Sequence, residues 1–324
     1  MSTQESPIEL VTAFEKDVYE GLTTFPKFLY SKYIYDKTGD ELFQKIMELP
    51  EYYLTRAEFS ILKNNTAEIA DIFEHPLGFD LIELGAGDGK KTRIILRELL
   101  ERSAAFSYIP IDISQNSLDE LVKNLKNEFS DLKVLPQQGM YFEVLEKLSS
   151  YNRRKKVIMV LGSNIGNLLH PKAISFLKNI EQSMSASDML FMGFDQKKDP
   201  QTILNAYNDS QGVTADFNKN LLYRINRELD GNFQPEKFTH WESYDPETGT
   251  AKSFLVATEA MKVVLKKIRL TVEFEQWETI HTEISQKYDD NTVAWLAEQA
   301  ALRIEKIFAL DNKGYKNYVF KKRA

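Results

Sequence analysis

The chain has 324 residues, of which 43% are hydrophobic and 27% charged, a composition typical of globular proteins. It contains no cysteine, which excludes disulfides, thiolate metal sites and a cysteine nucleophile, and its four histidines are too scattered to suggest a metal cluster. The formal net charge of −7 argues against a nucleic-acid substrate, because a polyanion binder usually needs a clustered positive face.

The sequence predicts neither a secretory signal nor a membrane span. Met1–Val11 lacks a basic start followed by an apolar core, and no run of about 18 apolar residues occurs that could cross a bilayer. The absence of cysteine suits a reducing compartment. We therefore expect a cytoplasmic monomer that acts on a small molecule, with no nucleic-acid partner, no membrane partner and no metal.

The first sixty residues do not read as part of a nucleotide-binding sheet. We predict an amphipathic helix at Ile8–Glu20, and Thr55-x-x-Glu58 matches a capping box that would start a helix leading towards the sheet. That box gives Thr55 and Glu58 a purely structural explanation. Tyr35 and Tyr52 have none, although aromatic packing alone could account for either.

The chain is organised around a strand, a glycine-rich turn and a helix at Phe79–Arg93. A short apolar run ends at Leu84, and the turn that follows has the spacing Gly-x-Gly-x-Gly, beginning with Gly85 and Gly87. A tight Gly-x-Gly turn preceded by an acidic residue is typical of an S-adenosylmethionine site, whereas pyrophosphate binders place the third glycine later. A plain strand–helix connection is the alternative.

A second acidic residue, Asp112, ends the next predicted strand. A carboxylate at the tip of the second strand can accept hydrogen bonds from both hydroxyls of a ribose. Alternatively, Asp112 caps the predicted helix Leu118–Phe129, a role that Ser114 could equally fill.

Between residues 80 and 195 the pattern alternates strand and helix, which predicts an α/β parallel doubly wound sheet. The predicted strands are 80–84, 107–112, 132–135, 156–161 and 188–194, and the predicted helices are 91–102, 115–129, 140–148 and 171–185. The fourth strand ends in the polar loop Gly162–Asn167, which would face the ligand crevice. Asn167 either contacts a ligand there or caps the helix near Pro171.

After Asp195 the alternation breaks. We predict helices at 199–209, 217–229 and 291–302, antiparallel strands at 239–245, 250–260, 261–270 and 278–285, and a hairpin at 304–310 and 315–321. A closing antiparallel hairpin on a parallel sheet is a hallmark of class I (Rossmann-like) methyltransferases. We therefore assign residues 61–196 and 286–324 to an S-adenosylmethionine-binding methyltransferase domain. Residues 1–60 and 197–285 would form a second, α+β substrate-binding module.

One strand of that module carries candidate chemistry. In the predicted strand 278–285, Glu283 and Ser285 point to the same face because side chains alternate along a strand. A carboxylate and a hydroxyl side by side can pair with both nitrogens of a small ring or with an ammonium group. The alternative is a half-exposed strand whose polar face meets water.

Several motifs in register across both modules point to one family. They are Tyr35-Asp36, Leu49–Glu58, Glu83–Gly87, Lys91–Arg93, Asp112, Leu161–Asn167, Ala206–Asp209, Gly212–Ala215, Phe217-Asn218, Asn226–Leu229 and His281–Ser285. With them the chain, from about Phe28 onwards, resembles the S-adenosylmethionine-dependent L-histidine Nα-methyltransferases of ergothioneine biosynthesis. That resemblance implies successive methyl transfers to the α-nitrogen of L-histidine, ending at the trimethyl betaine hercynine.

The resemblance also implies roles for individual residues. Gly85, Gly87, Lys91 and Asp112 would hold the cofactor, with Lys91 near its methionine carboxylate. The α-amino and carboxylate groups of histidine would be held by Tyr52, Asn167 and Tyr207. Glu283 and Ser285 would recognise the imidazole, with Tyr35 assisting through a water molecule. Either Tyr35 or Tyr52 would relay the proton.

The chain departs from the family pattern in two places. Where the family has Gly-Asp-Phe to touch adenine, this chain has Gly139–Phe142 without the acid, so we expect the backbone, Tyr141 and Phe142 to make that contact. Ser253 aligns with a methionine of the substrate pocket, and a serine there would loosen or polarise the pocket. An N-methyltransferase for another amino acid or amine, and a non-catalytic S-adenosylmethionine-binding relative, are the alternatives.

Overall fold

The computed structural model describes residues 10–112, 115–139, 154–310 and 314–323. The chain divides into two compact units. Leu54–Lys197 with Gln286–Ala324 form one, here called the Rossmann unit, and Met1–Tyr53 with Lys198–Ser285 form the other, here called the second unit. Each unit is therefore built from two separated segments of the chain.

A seven-stranded sheet forms the centre of the Rossmann unit, in the order β12-β13-β6-β5-β2-β3-β4. The strands are β2 (Phe79–Leu84), β3 (Phe106–Asp112), β4 (Gln137–Gln138), β5 (Lys155–Val160), β6 (Met189–Asp195), β12 (Leu302–Ala309) and β13 (Tyr315–Lys322). β13 pairs antiparallel with both β12 and β6, and the other pairings in this sheet are parallel. This is the class I methyltransferase sheet, so the predicted fold and its closing hairpin are confirmed.

Helices cover both faces of this sheet. They are α3 (Tyr53–Asn64), α4 (Thr66–Phe73), α5 (Thr92–Glu101), α6 (Gln115–Glu128), α7 (His170–Ser183) and α10 (Asp290–Gln299). Along β2, Leu81 belongs to the apolar core shared with α3–α6, whereas Ile82 belongs to the core shared with α7 and α10. Every residue of β2, β5 and β6 is buried, and most of these residues are apolar, as is typical of central parallel strands. The charged exceptions are Asp80, Glu83, Lys155, Lys156 and Asp195.

Two predictions for the Rossmann unit need comment. The strand predicted at 132–135 is wrong: only Val134 forms a bridge, to Tyr108, and the strand β4 lies at Gln137–Gln138. The helix predicted at 140–148 lies outside the described residues, and so do Tyr141 and Phe142. Other strands and helices of the unit begin and end within a few residues of their predicted bounds.

In its described residues, the second unit combines four α-helices with two small sheets. The helices are α1 (Ala13–Thr23), α2 (Lys37–Glu48), α8 (Pro200–Tyr207) and α9 (Val213–Leu229). A four-stranded sheet has the order β1-β11-β8-β7, and β9 pairs with β10. These strands are β1 (Lys27–Phe28), β7 (Phe238–Asp245), β8 (Thr250–Ala257), β9 (Met261–Leu265), β10 (Leu270–Phe274) and β11 (Thr279–Gln286). The single strand predicted at 261–270 is wrong, since the chain turns there and pairs Leu265 with Leu270.

Among the described residues, no helix combines the length and the apolar character that a bilayer crossing would require.

Candidate active site

The glycine-rich turn directly follows β2 and leads into α5. Gly85, Gly87 and Gly89 all have positive φ angles, of 76°, 53° and 67°. At Gly87 a side chain would meet no atom within 4 Å, so glycine is required there by the backbone conformation and not by crowding. The turn therefore exposes bare backbone at the carboxyl end of the sheet, where nucleotide ligands bind in this class of fold.

Glu83, the acid before the turn, ties the turn to its neighbours. Its carboxylate accepts hydrogen bonds from the hydroxyls of Thr92, at 2.7 and 2.8 Å, and Tyr108, at 2.5 Å. Burial raises the pKa of Glu83 to about 7, although both hydrogen bonds act to lower it. Glu83 thus fixes the start of α5 against β3 from a fully buried position.

Lys91, the last residue before α5, forms an ion pair with Glu58. The Lys91 Nζ lies 2.6 Å from the Glu58 Oε2, which also accepts the backbone N–H of Gly162 at 2.7 Å. Asn317 donates to the Glu58 Oε1 at 2.8 Å. The predicted capping box at Thr55-x-x-Glu58 is therefore wrong, because α3 already begins at Tyr53 and the Glu58 side chain is turned into the protein.

Asp112 lies at the last position of β3 and is half-buried. Its backbone carbonyl accepts the N–H of Gly139 at 3.1 Å, which holds the strand end against the following segment. Asp112 lies three positions before Gln115, where α6 begins, so the cap alternative does not fit it. The carboxylate thus stands at the strand tip where a ribose diol would be held.

Asn167 ends a short 3₁₀ turn, Asn164–Asn167, after β5, and is exposed. The capping position of α7 is Leu169, so Asn167 is not the cap of that helix. The loop is tied to the sheet: the hydroxyl of Ser163 accepts the Asp195 N–H at 3.0 Å, and the Tyr288 hydroxyl donates to the carbonyl of Ile165 at 3.1 Å.

These residues fit S-adenosylmethionine. The bare backbone at Gly87 admits a ligand, the Lys91 ammonium suits its carboxylate, and Asp112 suits its ribose.

In the second unit, aromatic rings from three segments of the chain pack against one another, most of them edge to face. Phe217 lies between Tyr35 and Phe43, with centroid distances of 5.4 and 5.8 Å. Phe43 also contacts Tyr52, whose ring lies 6.1 Å from that of Tyr207. The structure therefore brings Tyr35, Tyr52 and Tyr207 into one connected aromatic cluster.

Strand β11 brings two polar residues, Glu283 and Ser285, to the same cluster. The hydroxyls of Ser285 and Tyr207 lie 2.7 Å apart, within hydrogen-bond distance. Glu283 is half-buried and close enough to Tyr35 that its charge raises the pKa of that phenol. Although Tyr35 keeps 38% of its surface exposed, burial is the first cause of the increase, and its pKa lies well above the usual value of 10.

The hydroxyl of Ser253 is engaged in a hydrogen bond inside the protein. Its side chain is buried and donates to the Oε2 of Glu242 at 2.6 Å, across the paired strands β7 and β8. Its backbone carbonyl accepts the hydroxyl of Thr282, the neighbour of Glu283, at 3.1 Å. A buried carboxylate therefore accompanies the serine that stands where the family pattern has methionine.

The predicted site residues thus fall into two sets. Gly85, Gly87, Lys91, Asp112 and Asn167 belong to the Rossmann unit, and Tyr35, Tyr52, Tyr207, Glu283 and Ser285 belong to the second unit. Sequence reasoning missed Glu58, although a signal was present: it stands in the apolar stripe Leu54, Ala57, Ile61 and Leu62, where a helix faces the core. The ring contacts of Phe43 and Phe217 were also missed: Phe217 entered only as part of a family motif, and no local pattern marks Phe43.

The family of the chain follows from its similarity to known proteins. The family model for histidine-specific, S-adenosylmethionine-dependent methyltransferases matches residues 14–322. The chain belongs to this family. The methyltransferase is 36% identical over 295 residues to a histidine N-alpha-methyltransferase from Mycobacterium tuberculosis, covering 91% of this chain and 90% of that protein.

Two other relatives and one solved structure extend the comparison. A histidine N-alpha-methyltransferase from Mycolicibacterium smegmatis is 36% identical over 90% of the methyltransferase and 89% of that protein. Ergothioneine biosynthesis protein 1 from Schizosaccharomyces pombe is 27% identical over 91% of this chain but only 39% of its own length. A Clostridium acetobutylicum S-adenosylmethionine-dependent methyltransferase of known structure has a TM-score of 0.41 at 10% identity, over 82% of this chain and 92% of that one. Since that likeness is low, the fold assignment rests on the strand order.

Proposed function

We propose that this enzyme methylates the α-nitrogen of L-histidine with S-adenosylmethionine, in successive transfers that end at the trimethyl betaine. The observation that carries the proposal is Glu283, a half-buried carboxylate beside Tyr35, in a chain 36% identical to two histidine N-alpha-methyltransferases. An imidazole offers an N–H donor that a carboxylate accepts, and hydrogen bonds to charged groups are the stronger ones.

In this proposal the Rossmann unit holds the cofactor. Lys91 would bind the methionine carboxylate, Asp112 the ribose, and the turn at Gly85 and Gly87 would let the ligand approach the backbone. S-adenosylmethionine supplies an activated methyl group on its sulfonium. The residues of the chain therefore mainly orient the substrate and exclude water, because no strong acid or base is needed to activate the methyl donor.

The second unit would hold histidine. Glu283 and Ser285 would contact the imidazole, while Tyr52 and Tyr207 would hold the α-amino and carboxylate groups. The amine must lose a proton before it reacts, and a free α-amine titrates near pH 8, so a modest effect of the surroundings suffices. Because its pKa is raised, Tyr35 stays protonated at neutral pH and would act as a hydrogen-bond donor or relay, not as a phenolate base.

The test is calorimetric binding of L-histidine to the full-length protein, wild type beside Glu283→Ala. We expect the variant to bind about 10- to 100-fold more weakly, the range for a lost hydrogen bond to a charged group. Glu273→Ala is the matched control, since Glu273 is an exposed acid on β10 of the same unit. Mass spectrometry of the wild-type reaction should find a product three methyl groups heavier than histidine.

A folded wild-type protein that binds S-adenosylmethionine but not L-histidine would contradict the proposal. Screening other amino acids and amines would then test whether the Ser253–Glu242 pair recognises a different side chain.

We also propose that the enzyme works as a cytoplasmic monomer without a nucleic-acid or membrane partner. Light scattering on the purified protein checks the monomer, and a dimer at low concentration would refute it.

A further inference from the structure

Glu58 is the most deeply buried acid next to the glycine-rich turn. The residue is fully buried, whereas 21% of the Lys91 side chain remains exposed. Its carboxylate receives three donors from three separate segments: the Lys91 ammonium, the Gly162 backbone N–H and the Asn317 side-chain amide. A buried charge is stable only when it is paired and fully hydrogen-bonded, and Glu58 meets that condition.

The donors place Glu58 beneath the ligand crevice. Lys91 ends the loop that follows β2, and Gly162 begins the loop that follows β5, and these two strands are neighbours in the sheet. A single carboxylate oxygen, Oε2, therefore joins the two loops at the carboxyl ends of adjacent parallel strands. In open α/β sheets, ligands bind at that edge.

The sheet itself makes room for this carboxylate. Gly193 lies in the middle of β6 opposite Asn317, and a side-chain carbon built on it would come within 2.3 Å of the Glu58 Oε1. Stability alone gives little reason for such an arrangement, because well-packed apolar residues often replace a buried ion pair without loss. The three partners therefore indicate a role in shaping the crevice.

We infer that Glu58 is a positioning residue for the cofactor: it orients the Lys91 ammonium and the Gly162 backbone so that Lys91 meets the amino-acid end of the ligand. This rests on the proposed role of Lys91 at the methionine carboxylate. An ammonium has three N–H groups, and one of them is committed to Glu58, which fixes where the other two point.

The inference makes a prediction about which part of the ligand is affected. S-adenosylhomocysteine carries the amino-acid end, and 5′-methylthioadenosine shares its nucleoside but lacks that end. In Glu58→Gln, the side-chain amide has one acceptor oxygen and one NH₂ group, and the NH₂ group would face one of the three donors that now bind the carboxylate. The variant therefore cannot accept all three hydrogen bonds. We expect about 10- to 100-fold weaker binding of S-adenosylhomocysteine by calorimetry, with 5′-methylthioadenosine changed less than about twofold.

Asp188 provides a matched control. It is likewise fully buried, pairs with the Lys156 ammonium at 3.0 Å and accepts the backbone N–H groups of Lys156 and Ser185. It lies just before β6, at the amino ends of the strands and away from the crevice edge. Asp188→Asn should therefore lower stability without changing the ratio of the two ligand affinities.

A double-mutant cycle tests whether Glu58 acts through Lys91. Glu58→Gln combined with Lys91→Met should bind S-adenosylhomocysteine no more weakly than Lys91→Met alone, because residues that act as a unit are not additive. If Glu58→Gln does not fold, Glu58→Asp keeps the charge but shortens its reach, and the same selective loss is expected.

Three results would overturn the inference: unchanged S-adenosylhomocysteine binding in the Glu58 variant, an equal loss for both ligands, or the same selective loss in Asp188→Asn. Wild-type protein that fails to bind S-adenosylhomocysteine at all would instead refute the proposed function, and the inference with it. The two failures are thus distinguished by the wild-type titration.

Discussion

The two units hold their candidate site residues in different ways. In the Rossmann unit, the buried carboxylate of Glu58 binds Lys91 through a charge-assisted hydrogen bond of 2.6 Å, and the buried Glu83 accepts the hydroxyl of the adjacent Thr92 at 2.7 and 2.8 Å. In the second unit, Tyr35, Tyr52 and Tyr207 are held by ring contacts with centroid distances of 5.4–6.3 Å and by one hydroxyl pair. Charge fixes one set, and aromatic packing fixes the other.

The difference teaches what each ligand demands. A cofactor with a fixed carboxylate, ribose and base is matched by a rigid backbone turn with charges at set points. In the proposed function, the second unit would hold a substrate whose nitrogen gains methyl groups one at a time. Aromatic packing would suit that substrate, because the hydrogen bonds of the nitrogen change at each step. We therefore expect the Rossmann unit to respond to changes of charge and pH, and the second unit to changes of individual hydroxyls and rings.

The largest expected effect concerns Glu83, whose raised pKa should make stability fall as the pH rises. Between its usual value near 4.5 and the folded value of about 7, the folded protein keeps a proton that the unfolded chain has released. That difference corresponds to roughly 3 kcal/mol lost across this window. Urea unfolding of wild type and Glu83→Gln at several pH values measures it, since glutamine does not titrate. Parallel stability curves for the two proteins would contradict the prediction.

An effect of similar size and opposite sign is expected from His240 in the second unit. Burial lowers its pKa to about 4, and neither ring nitrogen has a hydrogen-bond partner among the described residues. As the pH falls from 6.5 to 4, His240 binds a proton in the unfolded chain but not in the folded protein. The free energy of unfolding therefore falls by up to about 3 kcal/mol. His240→Leu should remove this loss in the same urea experiment. If acid destabilises the variant as much as wild type, another group is responsible.

The smallest effect is the coupling between Tyr207 and Ser285. A hydrogen bond between two neutral hydroxyls contributes about 1 kcal/mol, so Tyr207→Phe and Ser285→Ala should be non-additive by about that amount. The free energies of unfolding of the two single variants and the double variant complete the cycle. Additive losses would mean that the two hydroxyls do not act together in the free protein.

Most of the Rossmann unit could be predicted from sequence because its signals are local. The buried strands are mostly apolar, and the turn from Gly85 to Gly89 lies between a strand and a helix that are adjacent in the chain. Asp112 could be placed for the same reason, at the tip of the next strand. The fold and this half of the candidate site thus follow from short stretches read in order.

The errors arose where a local pattern had two explanations or where contacts span long distances in sequence. Thr55-x-x-Glu58 fits a capping box, but the helix begins earlier and the acid faces the core. The run 261–270 reads as one strand, although four residues in its middle form a turn. The contact between Tyr35 and Phe217 joins residues 182 positions apart (217 − 35), so spacing along the chain could not predict it.

The pairing of β1 with β11 also has a consequence for how the chain is made. Lys27 forms its ion pair with Glu278, 251 positions later, and pairs with Ile280 as its neighbour in the sheet. Translation proceeds at about 5–20 residues per second, so β1 waits on the order of ten to fifty seconds for its partner strand. During that interval the strands of the Rossmann sheet up to β6 are synthesised. Until β11 leaves the ribosome, β1 has no partner strand and must avoid non-native pairing.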